Sequence, residues 1–397
     1  MCPAGTPFDN KPFRWPSQRE SLDKAMQFTI ERSTLLRSLT HVQGVVERRT
    51  TIPILSNVLL QANGGKLGLT ATDMDLAIIE GTQAEVAQDG STTVPAHTLY
   101  DIVRKLPEGS QVEIGAGGEQ GQLEIKSGRS KLSLTTLPSE DFPVMSDGDL
   151  PHRFALSADM LRRLIDRTRF AMSTEETRYY LNGLYFHAAE TDGSPVLRIV
   201  ATDGHRLARV EVVLPDGAAG MPGVIVPRKA VAEVRKLIDE VEDDVEIALS
   251  ETKIRFAFSD AILTSKLIDG TFPDYDRVIP FGNDKTLEVK RTEFVKAVDL
   301  VSTISTEKSR AIKLSLEDGN LVLTATSPEA GSAREELDVD YNDGSLEIGF
   351  NSKYLLDITQ QIEGEDAKFM LSDGASPTLV QDLGDTSALY VLMPMRV

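Results

Sequence analysis

The feature that most constrains the fold of this chain is a threefold internal repeat. Three segments open with a short strand of alternating character and continue into a helical pattern: FTIERSTLLRSLT from Phe28, FALSADMLRRLID from Phe154 and LEVKRTEFVKAVD from Leu287. Repetition at such a long period indicates that one structural unit is copied along the chain. Each copy is long enough to bury a core of its own. The sequence therefore predicts three tandem modules.

The remainder of each repeat follows in the same order. A strand pair joined by a turn rich in Gly, Asn or Asp ends in TATD at 70–73, VATD at 200–203 and TATS at 324–327. A strand then leads into a second helix, in TVPAHTLYDIVRKL, VIVPRKAVAEVRKL and IGFNSKYLLDITQQ. Two further strands close the unit. The pattern predicts an α+β module of two helices and about eight strands, with the helices on one side of the sheets.

The repeats also predict boundaries. We expect a poorly ordered extension over 1–25, where four prolines oppose a continuous helix, and modules over 26–150, 151–283 and 284–397. The extension lacks the apolar core of a secretory signal, although Phe13 and Trp15 leave a docking patch as an alternative. Helix N-caps are predicted at three hydroxyl residues, Ser33, Ser157 and Thr292.

Composition and motifs exclude several classes of function. No apolar run approaches the length of a membrane span, and a single cysteine, Cys2, excludes a disulfide framework and a zinc site built on cysteines. The five histidines are scattered, and no phosphate-binding loop of the G-x-x-x-x-G-K-[ST] type is present. We therefore predict that the protein uses no metal and no cofactor.

The charge is distributed unevenly between the helices and the rest of the chain. The formal net charge is −19, but the six helical segments sum to +8, so the remainder carries −27. Helices that share one face would form a cationic surface suited to the phosphates of duplex DNA, without reading its sequence. An arginine and two aromatic residues, Arg178, Tyr179 and Tyr180, add groups able to stack on nucleotides.

The densest polar cluster is Thr202-Asp203-Gly204-His205-Arg206. Asp203 and His205 leave open a hydrolase with an acid–base pair. The counterparts in the other repeats, Thr72-Asp73-Met74-Asp75 and Ser327-Pro328-Glu329, lack the histidine. The pattern favours a turn at the end of a strand, which can also form part of a binding surface. A metal held by Asp73 and Asp75 is a weaker alternative.

Long motifs identify a resemblance to one known family. They are IPILSNVLL from Ile52, SGRSKLSLTTLPSEDFP from Ser127, RYYLNGLYF from Arg178, VATDGHRLA from Val200, TSKLIDGTFPDYDRVIP from Thr264 and YVLMPMRV from Tyr390. In this order, from Met26 to Val397, the chain resembles bacterial DNA polymerase III β subunits, the replicative sliding clamps. Its segment GVVERRTTIPILSN is most similar to alphaproteobacterial members.

The resemblance implies a head-to-tail homodimer of three-domain subunits, closed into a ring with helices lining the pore. Such a ring encircles double-stranded DNA, has no catalytic site, and acts in the cytoplasm at the replisome. It tethers the replicative polymerase, other polymerases and repair proteins through short linear peptides, and a separate clamp loader opens it. A clamp-like paralogue that binds partners without forming a ring is the remaining alternative.

The resemblance also implies three sets of site residues. The peptide-binding cleft would comprise Leu181, Thr202, Gly204, His205, Arg206, Leu207, Pro273, Arg277, Val278, Asn351, Tyr354, Val391, Leu392, Met393, Pro394, Met395 and Arg396. DNA would be bound by Arg49, Arg178, Tyr179, Tyr180, Arg228 and Lys229. The dimer interface would join Arg129, Lys131 and Leu132 of one subunit to Thr303, Ile304, Glu335 and Glu336 of the next. His97 and Thr98 stand where relatives often have basic residues, and Leu132 and Thr303 replace bulkier apolar ones.

Overall fold

The computed structural model describes residues 26–116, 121–146, 148–305 and 310–396. The predicted extension over 1–25 lies outside these residues. The described chain contains six α-helices and 25 strands, arranged three times in the predicted order. The α+β class and the repeated module of two helices and about eight strands are thereby confirmed.

The elements of the first repeat are β1 (Met26–Glu31), α1 (Arg32–Gln43), β2 (Asn57–Asn63), β3 (Lys66–Thr72), β4 (Leu76–Gln83), β5 (Glu85–Gln88), β6 (Gly90–Pro95), α2 (Ala96–Lys105), β7 (Gln111–Ala116), β8 (Gln122–Ser127) and β9 (Ser130–Thr135). Those of the second are β10 (His152–Ser157), α3 (Ala158–Arg169), β11 (Gly183–Thr191), β12 (Ser194–Thr202), β13 (Arg206–Val213), β14 (Val224–Pro227), α4 (Arg228–Ile238), β15 (Asp244–Leu249), β16 (Lys253–Ala257) and β17 (Ala261–Lys266). Those of the third are β18 (Lys285–Lys290), α5 (Arg291–Ser302), β19 (Ala311–Glu317), β20 (Asn320–Ser327), β21 (Gly331–Asp338), β22 (Leu346–Asn351), α6 (Ser352–Thr359), β23 (Asp366–Leu371), β24 (Thr378–Asp382) and β25 (Ala388–Leu392). Short 3₁₀ turns occur at Pro53–Ser56, Ser139–Asp141, Glu176–Leu181 and Tyr275–Val278.

The described chain forms two compact units. One comprises the residues up to Gly148 together with Arg255–Ser265, and the other comprises Asp149–Ile254 together with the residues from Lys266 onward. In the first unit, β17 pairs antiparallel with β4, although β17 belongs to the second repeat by sequence. A strand from one repeat thus extends a sheet of its neighbour.

The second unit contains a sheet of eight strands in the order β14-β11-β12-β13-β25-β24-β23-β18. Its central pair joins β13 of the second repeat to β25 of the third, with Arg206 opposite Leu392 and Val210 opposite Ala388. This pairing brings the start of β13, just after the polar cluster 202–206, beside the last strand of the chain. It therefore determines where the candidate cleft lies.

The two helices of each repeat pack against each other and bury an apolar stripe on the sheets. In α1, for example, Leu35, Leu39 and Val42 are fully buried, and the helix contacts β3 and β4. These residues recur at the helical spacing that the sequence predicted. Burial of each such side chain contributes about 1.5–3 kcal/mol to folding.

The helix N-termini correct part of the capping prediction. Ser157 caps α3 as predicted, since its side chain accepts a hydrogen bond from the Met160 amide at 3.2 Å. Ser33 and Thr292 lie inside the first turns of their helices instead. Each strand runs directly into its helix, so α1 is capped by Glu31, whose carboxylate accepts from the Thr34 amide at 3.0 Å.

A long-range backbone contact supports the start of α5, which no side chain caps. The cap position is Lys290, whose side chain makes no capping hydrogen bond. The first helical amide, that of Arg291, instead donates to the carbonyl of Glu365 at 2.9 Å. A backbone carbonyl thus satisfies one of the amides that a helix start leaves without an internal partner.

Candidate binding cleft and charged surfaces

The polar cluster 202–206 forms the tight turn between β12 and β13. The Thr202 hydroxyl donates to the carbonyl of Arg206 at 2.7 Å and accepts from the Gly204 amide at 3.1 Å. Asp203 Oδ1 accepts from the amides of His205 and Arg206 at 2.9 and 3.1 Å. Gly204 has φ +87°, and a Cβ there would lie 2.5 Å from the Arg178 guanidinium. Glycine is therefore favoured by the left-handed backbone, and it leaves room for the close approach of Arg178.

The first repeat builds the same turn without a histidine. The Thr72 hydroxyl donates to the Leu76 carbonyl at 2.9 Å, and Asp73 Oδ1 accepts from the amides of Asp75 and Leu76. Met74 takes the left-handed position, with φ +77°. The shared geometry confirms that the cluster is a strand-end turn. The oxygens of Asp203 serve this turn and the Arg206 side chain, which weighs against a general base at Asp203.

A cavity of about 270 Å³ lies beside this turn, within the second unit. Its walls come from the Glu176–Leu181 turn, the 202–207 segment, the Tyr275–Val278 turn with the residues before it, and the end of the chain. The lining residues are Arg178, Tyr180, Leu181, Thr202, Gly204, Arg206, Leu207, Pro273, Asp274, Tyr275, Val278, Val391 and Met393.

The cavity wall belongs to an apolar cluster that is buried beneath it. Leu181, Leu207, Tyr275 and Val391 line the cavity and pack with buried neighbours from β12, β14 and β24. Phe272 adds a flat aromatic contact, stacked on Tyr185 with the ring centroids 4.7 Å apart. Such an apolar recess with a few polar groups at its rim suits the side chains of a short peptide.

Arg206 is the polar centre of the cleft and is only 6% exposed. Its guanidinium donates to Asp357 at 2.5 Å, Asp203 at 3.2 Å and the Phe170 carbonyl at 2.6 Å. The same group lies over the rings of Phe170 and Tyr354, 5.0 and 4.4 Å from their centroids. Arg206 therefore joins the turn to helix α6. The planar guanidinium of arginine has several donors and can bind these partners at the same time.

A second group of predicted cleft residues lies next to the cavity. The His205 ring stacks on Tyr354, with centroids 6.2 Å apart, and the His205 carbonyl accepts from the Met393 amide at 2.9 Å. The Met395 amide donates to the Gly349 carbonyl at 2.9 Å. These bonds hold the chain end, including the exposed Arg396, alongside His205 and α6.

Nine of the predicted cleft residues line the cavity: Leu181, Thr202, Gly204, Arg206, Leu207, Pro273, Val278, Val391 and Met393. Seven others lie outside its lining: His205, Arg277, Asn351, Tyr354, Pro394, Met395 and Arg396. Leu392 is also absent from the cavity lining. It follows Val391 on β25, where successive side chains point to opposite faces of the sheet.

Sequence reasoning missed two lining residues, Asp274 and Tyr275, and assigned Arg178 and Tyr180 to DNA alone. Asp274 and Tyr275 lie within the FPDYDRV motif that supplied Pro273, Arg277 and Val278. That motif was the available signal, because a 3₁₀ turn places residues three apart, here Tyr275 and Val278, on the same side of the chain.

The predicted DNA-binding residues occupy different environments. Arg49 and Arg228 are exposed, at the end of the α1 segment and the start of α4. Tyr179 is 53% exposed and meets Tyr180 edge-on, with centroids 5.9 Å apart. Arg178 is bound by both oxygens of Glu175 at 2.7 and 2.9 Å, and it lines the cavity as well. Lys229, beside Arg228, is partly buried.

Several helix arginines that contribute to the +8 charge are used inside the second unit. Arg167, on α3, is buried and pairs with Asp385 at 2.7 Å and Glu363 at 3.1 Å. Arg235, on α4, pairs with Asp166 at 2.8 Å and Asp239 at 2.5 Å. Burial opposes ionisation of Asp385, but hydrogen bonds from Ser387 and Arg167 lower its pKa to about 2. Arg167 and Arg235 stabilise contacts between elements through these ion pairs. Only arginines that remain exposed can contact DNA phosphates.

The predicted interface residues lie on two edge strands. Arg129 is exposed just before β9, and Lys131 is exposed on β9 itself, the edge of a five-stranded sheet in the first unit. Leu132 on β9 is partly buried. Strand β21, with Glu335 and Glu336, is the edge of a four-stranded sheet in the second unit. Thr303 and Ile304 follow the C-terminus of α5.

Helices long and apolar enough to cross a membrane do not occur among the residues that the structure describes. Within 26–116, 121–146, 148–305 and 310–396, no group of three His, Cys, Asp or Glu side chains is arranged to hold a metal ion.

Three family models match the chain in succession. They are the N-terminal, central and C-terminal domains of the DNA polymerase III beta subunit, over residues 26–146, 155–274 and 276–396. Together they cover most of the sequence and follow its three repeats.

Individual relatives place the chain in the same family. The Beta sliding clamp of Caulobacter vibrioides is 55% identical over 372 residues, covering 94% of this chain and 100% of the relative. That of Escherichia coli K12 is 41% identical over 375 residues, with the same coverage. A crystal structure of the C. crescentus clamp, with PEG at a beta-motif tethering region, has a TM-score of 0.92 at 55% identity and covers 94% of this chain and 99% of its own. The DnaN clamp of Bartonella birtlesii, bound to griselimycin, has a TM-score of 0.91 at 52% identity and covers 94% of this chain and 100% of its own.

Proposed function

Since the chain belongs to the family of the bacterial DNA polymerase III beta subunit, we propose that it is a DNA sliding clamp. It encircles duplex DNA and tethers the replicative polymerase and other replication and repair proteins, so that they stay on their template. It is a processivity subunit and has no catalytic role of its own. We place its action in the cytoplasm, at the replisome, and propose module boundaries at 26–150, 151–283 and 284–397.

The proposal for partner binding rests on the apolar cavity beside the 202–206 turn. A recess of about 270 Å³ accepts one or two apolar side chains, and Arg178 and Asp274 supply polar groups at its lining. The neighbouring His205, Tyr354 and Met395 extend the surface for the rest of a short peptide. Because one such site serves every partner, the partners must compete for it.

We propose that griselimycin, which the Bartonella clamp binds, occupies this cavity and can therefore probe the assignment. Deleting residues 393–397 removes Met393 from the cavity wall and the amides of Met393 and Met395 from their carbonyl partners. We expect the truncated protein to bind labelled griselimycin at least about 100-fold more weakly, since a cavity wall and its supports are both lost. Fluorescence anisotropy measures the affinity.

The matched control for the truncation is Val213→Ala, which shortens an apolar side chain that is 83% exposed at the end of β13. This variant should bind the probe as the unmodified protein does. Unchanged affinity in the truncated protein would contradict the cleft assignment.

For DNA, we propose that Arg49, Arg228 and Lys229 contact phosphates and that Tyr179 contacts bases or sugars. The exposure of Arg49, Arg228 and Tyr179 supports this role. Arg178 and Tyr180 lie at the junction with the cavity, so we propose that they serve the cleft as well. Contacts to phosphates do not depend on base sequence, as sliding requires.

For the ring, we propose that β9 of one subunit lies against β21 of the next. Edge strands present backbone groups that can pair with another chain, and the cations at β9 face the carboxylates of β21 in this arrangement. Joining different surfaces of two copies at both ends closes a head-to-tail ring.

Reversing the charge at β9, with Arg129→Glu and Lys131→Glu, is expected to convert the dimer to a monomer. Like charges across an interface cost several kcal/mol, so the dimer Kd should rise by roughly 100-fold or more. Sedimentation velocity at micromolar concentration measures the mass. Adding Glu335→Lys and Glu336→Lys to the same chain restores opposite charges at both junctions and should restore the dimer. A wild-type protein that sediments only as a monomer would contradict the ring.

A further inference from the structure

A row of polar residues crosses three strands behind the cleft. His187 on β11 lies opposite Arg198 on β12, which lies opposite Glu211 on β13. Arg198 Nε donates to Glu211 at 2.8 Å, and both side chains are largely buried. All three point to one face of the sheet. The row ends at a residue of the cavity wall, Tyr275.

Tyr275 joins this row through its hydroxyl group. His187 Nε2 lies 2.9 Å from the Tyr275 oxygen, and Arg198 Nη1 donates to the same oxygen at 3.4 Å. His187 Nδ1 lies 3.1 Å from the carbonyl of Ala188. A carbonyl only accepts, so Nδ1 carries the proton of the neutral ring and Nε2 accepts from the Tyr275 hydroxyl. The hydrogen bonds therefore run in one direction, from Arg198 to Tyr275 to His187.

Aromatic stacking fixes the histidine in this orientation. The His187 ring stacks on Tyr185 at 4.7 Å, and Tyr185 stacks on Phe272 at 4.7 Å. Phe272 and Tyr275 are both members of the apolar cluster under the cavity. The two tyrosines and Phe272 thus connect the polar row to the wall against which a ligand packs.

We propose that His187 and Arg198 are positioning residues of the cleft, and that neutral His187 holds Tyr275 in the conformation that binds a peptide ligand. This inference rests on the proposed peptide-binding function. Protonation would make Nε2 a donor, so that the Tyr275 oxygen would face two cationic donors and its own proton would lose its acceptor. The wall at Tyr275 would then rearrange, and ligand affinity would fall on acidification.

The charged groups that act on His187 come from β12, β13 and the Tyr275–Val278 turn. Arg198 on β12 and Arg209 on β13 disfavour its protonation, whereas Asp276 in the Tyr275–Val278 turn favours it. Glu211 is engaged by Arg198. Burial is the largest influence and lowers the pKa of His187 below its ordinary value. The ring is therefore neutral at pH 7 and gains its proton only on acidification.

The test compares the pH profile of griselimycin affinity in the wild-type protein and in His187→Gln, from pH 8 to pH 5.5. The glutamine carbonyl can accept from Tyr275 at any pH, so both proteins should bind alike at pH 8. On acidification, we expect the affinity of the wild-type protein to fall by about fivefold more than that of the variant. This factor corresponds to the net free energy of one hydrogen bond. His205 is present in both proteins, so the difference between the profiles reports on His187.

Tyr275→Phe provides a second variant that keeps the ring and removes the hydroxyl. It should bind a few-fold more weakly at pH 8 and lack the part of the pH response that depends on His187. Coincident profiles for wild type and His187→Gln, or a full response in Tyr275→Phe, would overturn the inference while leaving the peptide-binding function intact. Absence of binding by the wild-type protein at pH 8 would instead contradict the proposed function.

Discussion

Replacing Arg206 with alanine is expected to destabilise the second unit and to eliminate ligand binding at the cleft. The guanidinium joins Asp203, Asp357 and the Phe170 carbonyl from a position that is 6% exposed. Removing it leaves two carboxylates close together without their cation. Breaking a buried ion pair in this way costs about 3–5 kcal/mol, and we expect calorimetric unfolding to show a loss of this size. Griselimycin affinity should fall by about 100-fold or more, since the turn and α6 lose their connection.

The variant Arg104→Ala tests whether the burial of Arg206 causes this loss of stability and affinity. Arg104 on α2 pairs with Asp101 at 3.2 Å, but both side chains are about half exposed. Solvent screens such a pair, so Arg104→Ala should change stability by at most about 1 kcal/mol and leave griselimycin affinity unchanged. Arg206→Lys keeps the charge but not the planar fork, so it should recover only part of the loss. Equal stability in Arg206→Ala and Arg104→Ala would contradict the role assigned to Arg206.

The sequence was sufficient to predict the repeated elements because their signals are local. Apolar periodicity marked α1 and its counterparts, and the turns rich in Gly, Asn or Asp marked the hairpins. The cap at Ser33 was wrong because β1 runs directly into α1 and Glu31 holds the cap position. At α5 the cap position is Lys290 instead of Thr292, and the distant carbonyl of Glu365 binds the Arg291 amide. Nothing near Arg291 in the sequence indicates that contact.

The pairing of β17 with β4 was missed for a similar reason. The repeat assigns β17 to the second module, whereas the strand extends a sheet of the first unit. Period and composition show which residues form a strand, but the partner of an edge strand depends on the assembled fold. The equivalent pairing of β13 with β25 created the cleft, so its position also required the structure.

For the candidate site, too, the sequence indicated individual residues but not their surroundings in the fold. Motifs indicated Thr202, Gly204, Arg206 and Val391, which line the cavity, but they also indicated Leu392, which does not. The charge sum of +8 over the helices could not distinguish cations in ion pairs, such as Arg167, from exposed ones such as Arg49. Fewer cations are therefore available to DNA than the sum suggests, and we expect retention on DNA to depend on ring closure more than on affinity.

The second large effect that we predict is retention of the protein on circular DNA through ring closure. A closed ring on nicked circular DNA has no end to slide from, whereas on a linear duplex it leaves by diffusion. After loading by the clamp loader, we expect the protein to remain with the circle through gel filtration at a salt concentration that weakens phosphate contacts. The monomeric charge-reversed variant, Arg129→Glu with Lys131→Glu, should be retained on neither form.

The most direct measurement is therefore to cut that circle once after loading and follow the bound protein. We predict near-complete loss of the wild-type protein from the linearised DNA and stable retention on the uncut circle. Equal retention on the circular and linear forms would contradict the central claim that this protein holds DNA by encircling it.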